Sequence, residues 1–193
     1  MSDITSFIEL GLRHILALDA LDHLLFLLAL VAPYRWRDWR RLALVVSAFT
    51  VGHTTTLGLV ATHRLALPTA WIEFLIPMTI VAAAIKNLVG PDGGPRWTAP
   101  FLAAGFGLVH GAGFASSLQG LFGDEVVRPL FGFNVGIEIG QLVVVGSLLA
   151  GFALADRIRR EGGSTRAFAS RRMATSLAAA LGGIVMAIGR SPW

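Results

Sequence analysis

Residues 42–62 run for 21 positions without a single Asp, Glu, Lys or Arg. A helix of that length rises about 30 Å, the thickness of the hydrocarbon core of a bilayer. Apolar blocks recur at 71–90, 99–117, 129–154 and 173–190, and a shorter one at 20–32 ends at Pro33. A soluble chain of 193 residues has too much surface for its volume to hide so many apolar side chains. An all-helical soluble core would also need a charged face on each helix, and most of these blocks have none. Composition agrees: 15% of residues are charged, against about 25% in an ordinary soluble domain. The fold class read from this pattern is an all-α, polytopic membrane bundle of about six transmembrane helices, forming one domain over residues 1–193.

The piece before the first span differs from the rest. Ile4, Phe7, Ile8, Leu12 and Ile15 recur at helical spacing, with Ser6, Glu9 and Arg13 on the other side. That pattern predicts an N-terminal amphipathic helix over 4–18 lying at the membrane interface. The basic residues sit in the gaps between apolar blocks, which is the footprint of topology and excludes a phosphate-binding face for nucleic acid. Twelve Lys and Arg fall in the loops after spans one, three and five, four on the other side. The positive-inside rule then puts both termini outside a bacterial inner membrane, with 35–41 and 157–172 in the cytoplasm. The turn-rich gap 91–98 and the Arg-rich gap 156–172 are read as loops. Trp36, Trp39, Trp71 and Trp97 flank spans, as lipid-interface anchors do. No secretory leader is expected, since Asp3 and Glu9 precede the first basic residue, Arg13. The absence of Cys removes disulfides, thiolate metal sites and Cys nucleophiles.

Small residues recur four apart in three spans: Ala103, Gly107, Gly111 and Ala115; Gly132, Gly136 and Gly140; Ala179, Gly183 and Ala187. Such stripes let helix backbones approach closely in lipid, and packing is their default meaning.

The chemistry lies in polar groups inside the apolar blocks: Asp22, His23, His53, Glu73, His110, Asn134 and Glu138. At the centre of a span an ionisable group costs about 2.5–3.5 kcal/mol on insertion scales. Singly, each has a dull explanation, Asp22 as a helix start and Glu73 as a headgroup contact beside Trp71. Given the orientation above, all seven lie in the outer half of the bilayer, within about 14 Å of its edge. Independent packing residues would scatter through both leaflets, so one convergent site is the better reading. Imidazoles and carboxylates without sulfur suit a borderline divalent cation such as Ni²⁺, Co²⁺ or Zn²⁺. Asn134, Glu138 and Gln141 share one face of their span, opposite the Gly132/Gly136/Gly140 stripe, and Thr50, Thr54 and Thr55 flank His53. A hydrogen-bond network that only joins helices is the plainer alternative.

Six segments in order, namely 11–16 with His14, 22–30 opening Asp22-His23, 49–54 with His53, 71–74 with Glu73, 107–115 with His110, and 133–141 with Asn134 and Glu138, resemble the HupE/UreJ family of bacterial membrane proteins. That resemblance implies permeation of nickel or cobalt, often connected with hydrogenase or urease maturation. It carries His14, Asp22, His23, His53, Glu73, His110, Asn134 and Glu138 over as motif positions. No Gly-x-x-x-x-Gly-Lys-[Ser/Thr] occurs, so an ATP-driven pump is not expected. The function expected is secondary transport of a divalent transition-metal ion, nickel first, cobalt or zinc after it. An intramembrane zinc-dependent hydrolase built on the same His, Asp and Glu residues is the alternative class.

Overall fold

A computed structural model describes residues 3–17, 20–90, 97–122, 125–158 and 164–193, with the side chains of 115–122 and 164 outside the description. The described residues form seven α-helices: α1 (Ile4–Leu16), α2 (Leu21–Val31), α3 (Trp39–Ala61), α4 (Thr69–Val89), α5 (Thr98–Phe122), α6 (Val127–Ile158) and α7 (Ser164–Gly189). The chain is therefore all-α, as its apolar periodicity requires. The segments containing α3, α4, α6 and α7 are each long and apolar enough to cross a membrane, and α1 with α2 passes the same test as a pair bent by 71°. Trp36, Trp39, Trp71 and Trp97 are all exposed at helix ends.

Helix ends follow local chemistry. Pro33 follows α2 closely, where its missing backbone N–H donor and its clash with the preceding turn favour ending the helix. Pro68 precedes α4, where its fixed φ starts a helix well. α3 stops before His63, whose φ of 56° is left-handed. That turn lets the Arg64 and Leu65 N–H groups donate back to the Leu59 carbonyl at 2.9 and 3.2 Å.

Two glycine seams organise the bundle. In lipid, apolar contact between helices is not itself a driving force, and close backbone approach supplies the attraction. Along α3 and α5, a Cβ on Gly52 would collide with the Ala104 carbonyl, one on Gly107 with that of Phe49, and one on Gly111 with that of His53. Along α1 and α6, a Cβ on Gly11 would meet the Phe133 carbonyl and one on Gly136 that of Ile8. Numbering rises together along both seams, so each pair is parallel. The third stripe packs through Gly183 on Pro77, Ile80 and Val81 of α4. Each stripe read in the sequence is a packing surface over its described residues, the side chain of Ala115 lying outside the description.

Two expectations need adjusting. The amphipathic piece expected over 4–18 is α1, and its apolar face meets protein: Ile4, Phe7 and Ile15 lie against Gly132 and Gly140 of α6. The loop expected over 156–172 is largely helical at both ends, since α6 continues to Ile158 and α7 begins at Ser164. Buried Arg171 ties these extensions together and explains why polarity there does not mean a loop. Residues 91–96 and 159–163, assigned to loops from the sequence, lie outside the described residues.

Candidate metal centre

The seams fix where the histidines stand. His53 follows Gly52 and His110 precedes Gly111, so both rings leave the α3–α5 seam next to its closest backbone contacts. His14 lies between Gly11 and Ile15, the residues through which α1 presses on α6. α2 brings His23 from its first turn, where Asp22 turns back on it. The Asp22 carboxylate accepts from the His23 backbone N–H at 2.8 Å, and its Oδ1 lies 2.9 Å from His23 Nδ1.

Four rings meet in consequence. Ring centroids are 4.7 Å apart for His14 and His23, 6.4 Å for His53 with each of these, and 5.2 Å for His23 and His110. His14, His23 and His53 each offer a ring nitrogen, and these three atoms lie within 4.8 Å of one another. The tautomers can be assigned from their partners. His23 Nδ1–H faces a carboxylate, so Nε2 carries the lone pair. Thr79 Oγ1 donates to the Ile76 carbonyl at 2.7 Å and therefore accepts from His110 Nε2 at 2.9 Å, which leaves Nδ1 as the lone pair of that ring.

Five buried ring nitrogens have no hydrogen-bond partner among the described residues: Nε2 of His14 and His23, both nitrogens of His53, and Nδ1 of His110. Leaving a buried polar atom unpaired costs about 1–3 kcal/mol, so five on four neighbouring rings call for a ligand. Unprotonated imidazole nitrogens without sulfur suit nickel, cobalt or zinc. The donor set fits such an ion.

The cluster is reached through a vestibule of about 510 Å³, lined among others by His14, Asp22, His23, Glu73, His110, Arg13 and Arg190. His53 stands behind it, fully buried. Phe26 and Phe49 close the side away from the vestibule, with ring centroids 5.1 and 5.2 Å from His110.

Of the residues expected from the sequence, the structure gathers ring nitrogens of His14, His23 and His53 within 4.8 Å of one another, with His110 beside His23 and Asp22 against His23. Glu73 lines the vestibule. Asn134 and Glu138 face α3 instead. Ser47 Oγ donates to Glu138 Oε1 at 2.5 Å, Thr54 Oγ1 to Asn134 Oδ1 at 2.6 Å, and Thr50 Oγ1 to Gln141 Oε1 at 2.9 Å. Asn134 stands close to the His53 ring, but neither ring nitrogen meets it in hydrogen-bond geometry. This polar ladder locks α3 to α6 and so positions His53. Sequence reasoning missed Thr79 and Arg190. A threonine in an apolar span carries no signal, and the arginine pairs with Asp22 across 168 residues of chain at 3.1 Å.

Neither the curated proteins nor the solved structures yielded a match. The family described as HupE / UreJ protein matches residues 1–189, so nearly the whole chain is covered. Its apolar helices and this match make it a multi-pass membrane protein. The chain belongs to the HupE/UreJ family.

Proposed function

We propose that the protein carries a divalent transition-metal ion across the bacterial inner membrane, nickel first and cobalt or zinc after it. The observation that supports this most is the group of unpartnered ring nitrogens on His14, His23 and His53, buried at the end of a polar vestibule. In this reading those three rings take the ion as substrate. His110 offers a fourth nitrogen, Asp22 orients His23, and Glu73 attracts cations at the mouth. A carboxylate behind a ligating imidazole raises its basicity and fixes its orientation. Asn134 and Glu138 act through α3, holding His53 in place.

The path has six crossings, with α1 and α2 together forming the first, bent one and α3 to α7 the others. Both termini lie outside, and the arginine-rich segments 35–41 and 157–172 face the cytoplasm. Inward movement draws on the membrane potential, worth about 2.3 kcal/mol per charge per 100 mV. The metal would then serve hydrogenase or urease maturation, as the family resemblance implies.

The vestibule volume falls in the range of about 300–1,000 Å³ typical of small-molecule sites, which keeps an intramembrane zinc-dependent hydrolase in view. One experiment separates the two. Purified protein is analysed for bound metal and reconstituted in proteoliposomes. Accumulation of Ni²⁺, Co²⁺ or Zn²⁺ driven by an inside-negative potential is the expected result. Tight zinc retention without accumulation would sink the transporter reading and leave the hydrolase.

A further inference from the structure

Two arginines line the vestibule and oppose a cation there: Arg13 pairs with exposed Glu9 on its own helix, whereas Arg190 pairs with Asp22 beside the histidines. Arg190 is one-third exposed, and its Nη1 lies 3.1 Å from Asp22 Oδ2. Among the described residues this is the only ion pair its side chain makes. The other oxygen of Asp22 is taken by His23, so the carboxylate is shared between a candidate ligand and a fixed positive charge. The guanidinium is placed by a docked tail. The Arg190 N–H donates to the Met186 carbonyl, and Trp193 packs edge-on against Trp71 and tilted against Phe74 of α4, with ring centroids at 5.9 and 5.4 Å.

We infer that Arg190 is a positioning residue and built-in counter-charge: it holds Asp22 so that His23 presents Nε2, and its positive charge lowers the affinity of the centre enough for the ion to leave. The inference rests on the metal-carrying reading above. A site that captures and releases must bind firmly enough to load and weakly enough to empty. Three imidazoles backed by a full, unshared carboxylate would retain a dication strongly. A guanidinium on the far oxygen of that carboxylate removes part of the attraction and adds repulsion in a poorly screened site. A purely mechanical tie between α2 and α7 is already supplied by Gly182 packing on Leu25 at one level and by Arg171 bonding the Ala32 carbonyl at another. The pairing at Asp22 is therefore explained by charge.

The test is titration of full-length protein in detergent with nickel chloride, followed by Ni²⁺ uptake in proteoliposomes. Arg190→Gln keeps a donor for Asp22 and loses the charge, and it should bind Ni²⁺ about tenfold more tightly. In uptake, both its half-saturation concentration and its maximal rate should fall, since release becomes slower. Arg190→Lys should behave as wild type. If Arg190→Gln binds equally or more weakly, the residue only scaffolds, and the inference is overturned. Should Arg190→Gln not fold, the comparison of Asp22→Asn with Asp22→Asn/Arg190→Gln decides. The double variant should bind more tightly than the single one, and an equal or weaker affinity overturns the inference. Wild-type protein indifferent to Ni²⁺, Co²⁺ and Zn²⁺ would overturn the metal-carrying reading itself, whatever the variants do.

Discussion

Near each end of α7 an arginine pairs with an aspartate, Arg171 within the helix and Arg190 just past its last residue, but the surroundings differ. Arg171 is buried, and every direction around it is filled. Its Nε lies 3.1 and 3.2 Å from the two Asp156 oxygens, and its two terminal nitrogens donate to the Ala32 and Tyr34 carbonyls at 3.2 Å each. Phe152 and Phe168 lie against the guanidinium at 4.3 and 5.0 Å. This arginine caps the Ala32 carbonyl at the C-terminus of α2 and bonds the Tyr34 carbonyl in the turn beyond it. At the other end Arg190 has one carboxylate partner, and beside it five ring nitrogens have none. A buried polar group in its resting fold is normally satisfied, so the satisfied end reads as structure and the unsatisfied one as a place where something binds. Residue type alone would not separate them, since both ends hold an Arg–Asp pair.

The strongest way to break this contrast is to remove a histidine. His53→Gln and His23→Gln keep hydrogen-bonding capacity but replace imidazole with a far poorer metal donor. Both variants should insert and fold, and both should lose about 100-fold or more in metal affinity, read as loss of the metal-induced rise in melting temperature. An unchanged metal response in both would make the two ends alike, each merely structural.

Arg171→Met attacks the other side of the comparison. It strands Asp156 as an uncompensated, partly buried charge and uncaps α2, at a cost of about 3–5 kcal/mol. Unfolding in mixed micelles should show that loss, while the Ni²⁺ affinity of the folded protein stays within about twofold of wild type. A matching fall in affinity would show that the ends are coupled through α7.

The glycine seams test whether the His cluster depends on backbone approach. Gly52→Ala places a methyl group on the Ala104 carbonyl next to His53, and should destabilise by about 1–3 kcal/mol while weakening metal binding. Gly146→Ala, where nothing lies within 4 Å, should instead stabilise α6 by up to about 1 kcal/mol and leave binding alone. Equal effects from the two substitutions, measured by thermal melting and metal titration, would deny the seam its role.

Much of this arrangement was legible in the sequence for identifiable reasons. Ionisable groups inside apolar spans are rare enough that Asp22, His23, His53 and His110 stood out together, and small-residue stripes have a period that packing requires. His14 entered only through the family resemblance, yet it is one of the three rings whose nitrogens come together. The fate of α1 was not legible: Ile4, Phe7 and Ile15 make the same amphipathic pattern whether the partner is a headgroup layer or the glycine groove of α6. Nor does polarity reveal that a helix continues past the bilayer, as α6 and α7 do around Arg171. Asn134 and Glu138 show a further limit. Periodicity places them on one face of α6, but which neighbour that face meets is decided by the tertiary packing of α1 on the opposite side.

Glu138 therefore gives the smallest expected effect and the sharpest test of that last point. Read by sequence depth, it belongs to the metal site. In the fold it accepts from Ser47 at 2.5 Å on the α3–α6 ladder, away from the gathered ring nitrogens. Glu138→Gln keeps an oxygen that can accept from Ser47 and removes only the charge. On the structural reading, stability should change by less than about 1 kcal/mol, and Ni²⁺ affinity by less than about threefold. A ligating carboxylate would behave differently, because an amide oxygen is a weaker donor and leaves the dication short of a negative charge. Loss of an order of magnitude or more in Ni²⁺ affinity, with melting in the absence of metal unchanged, would bring Glu138 back into the centre. It would also mean that α6 turns toward the histidines when the ion binds, because the resting geometry keeps its carboxylate on Ser47.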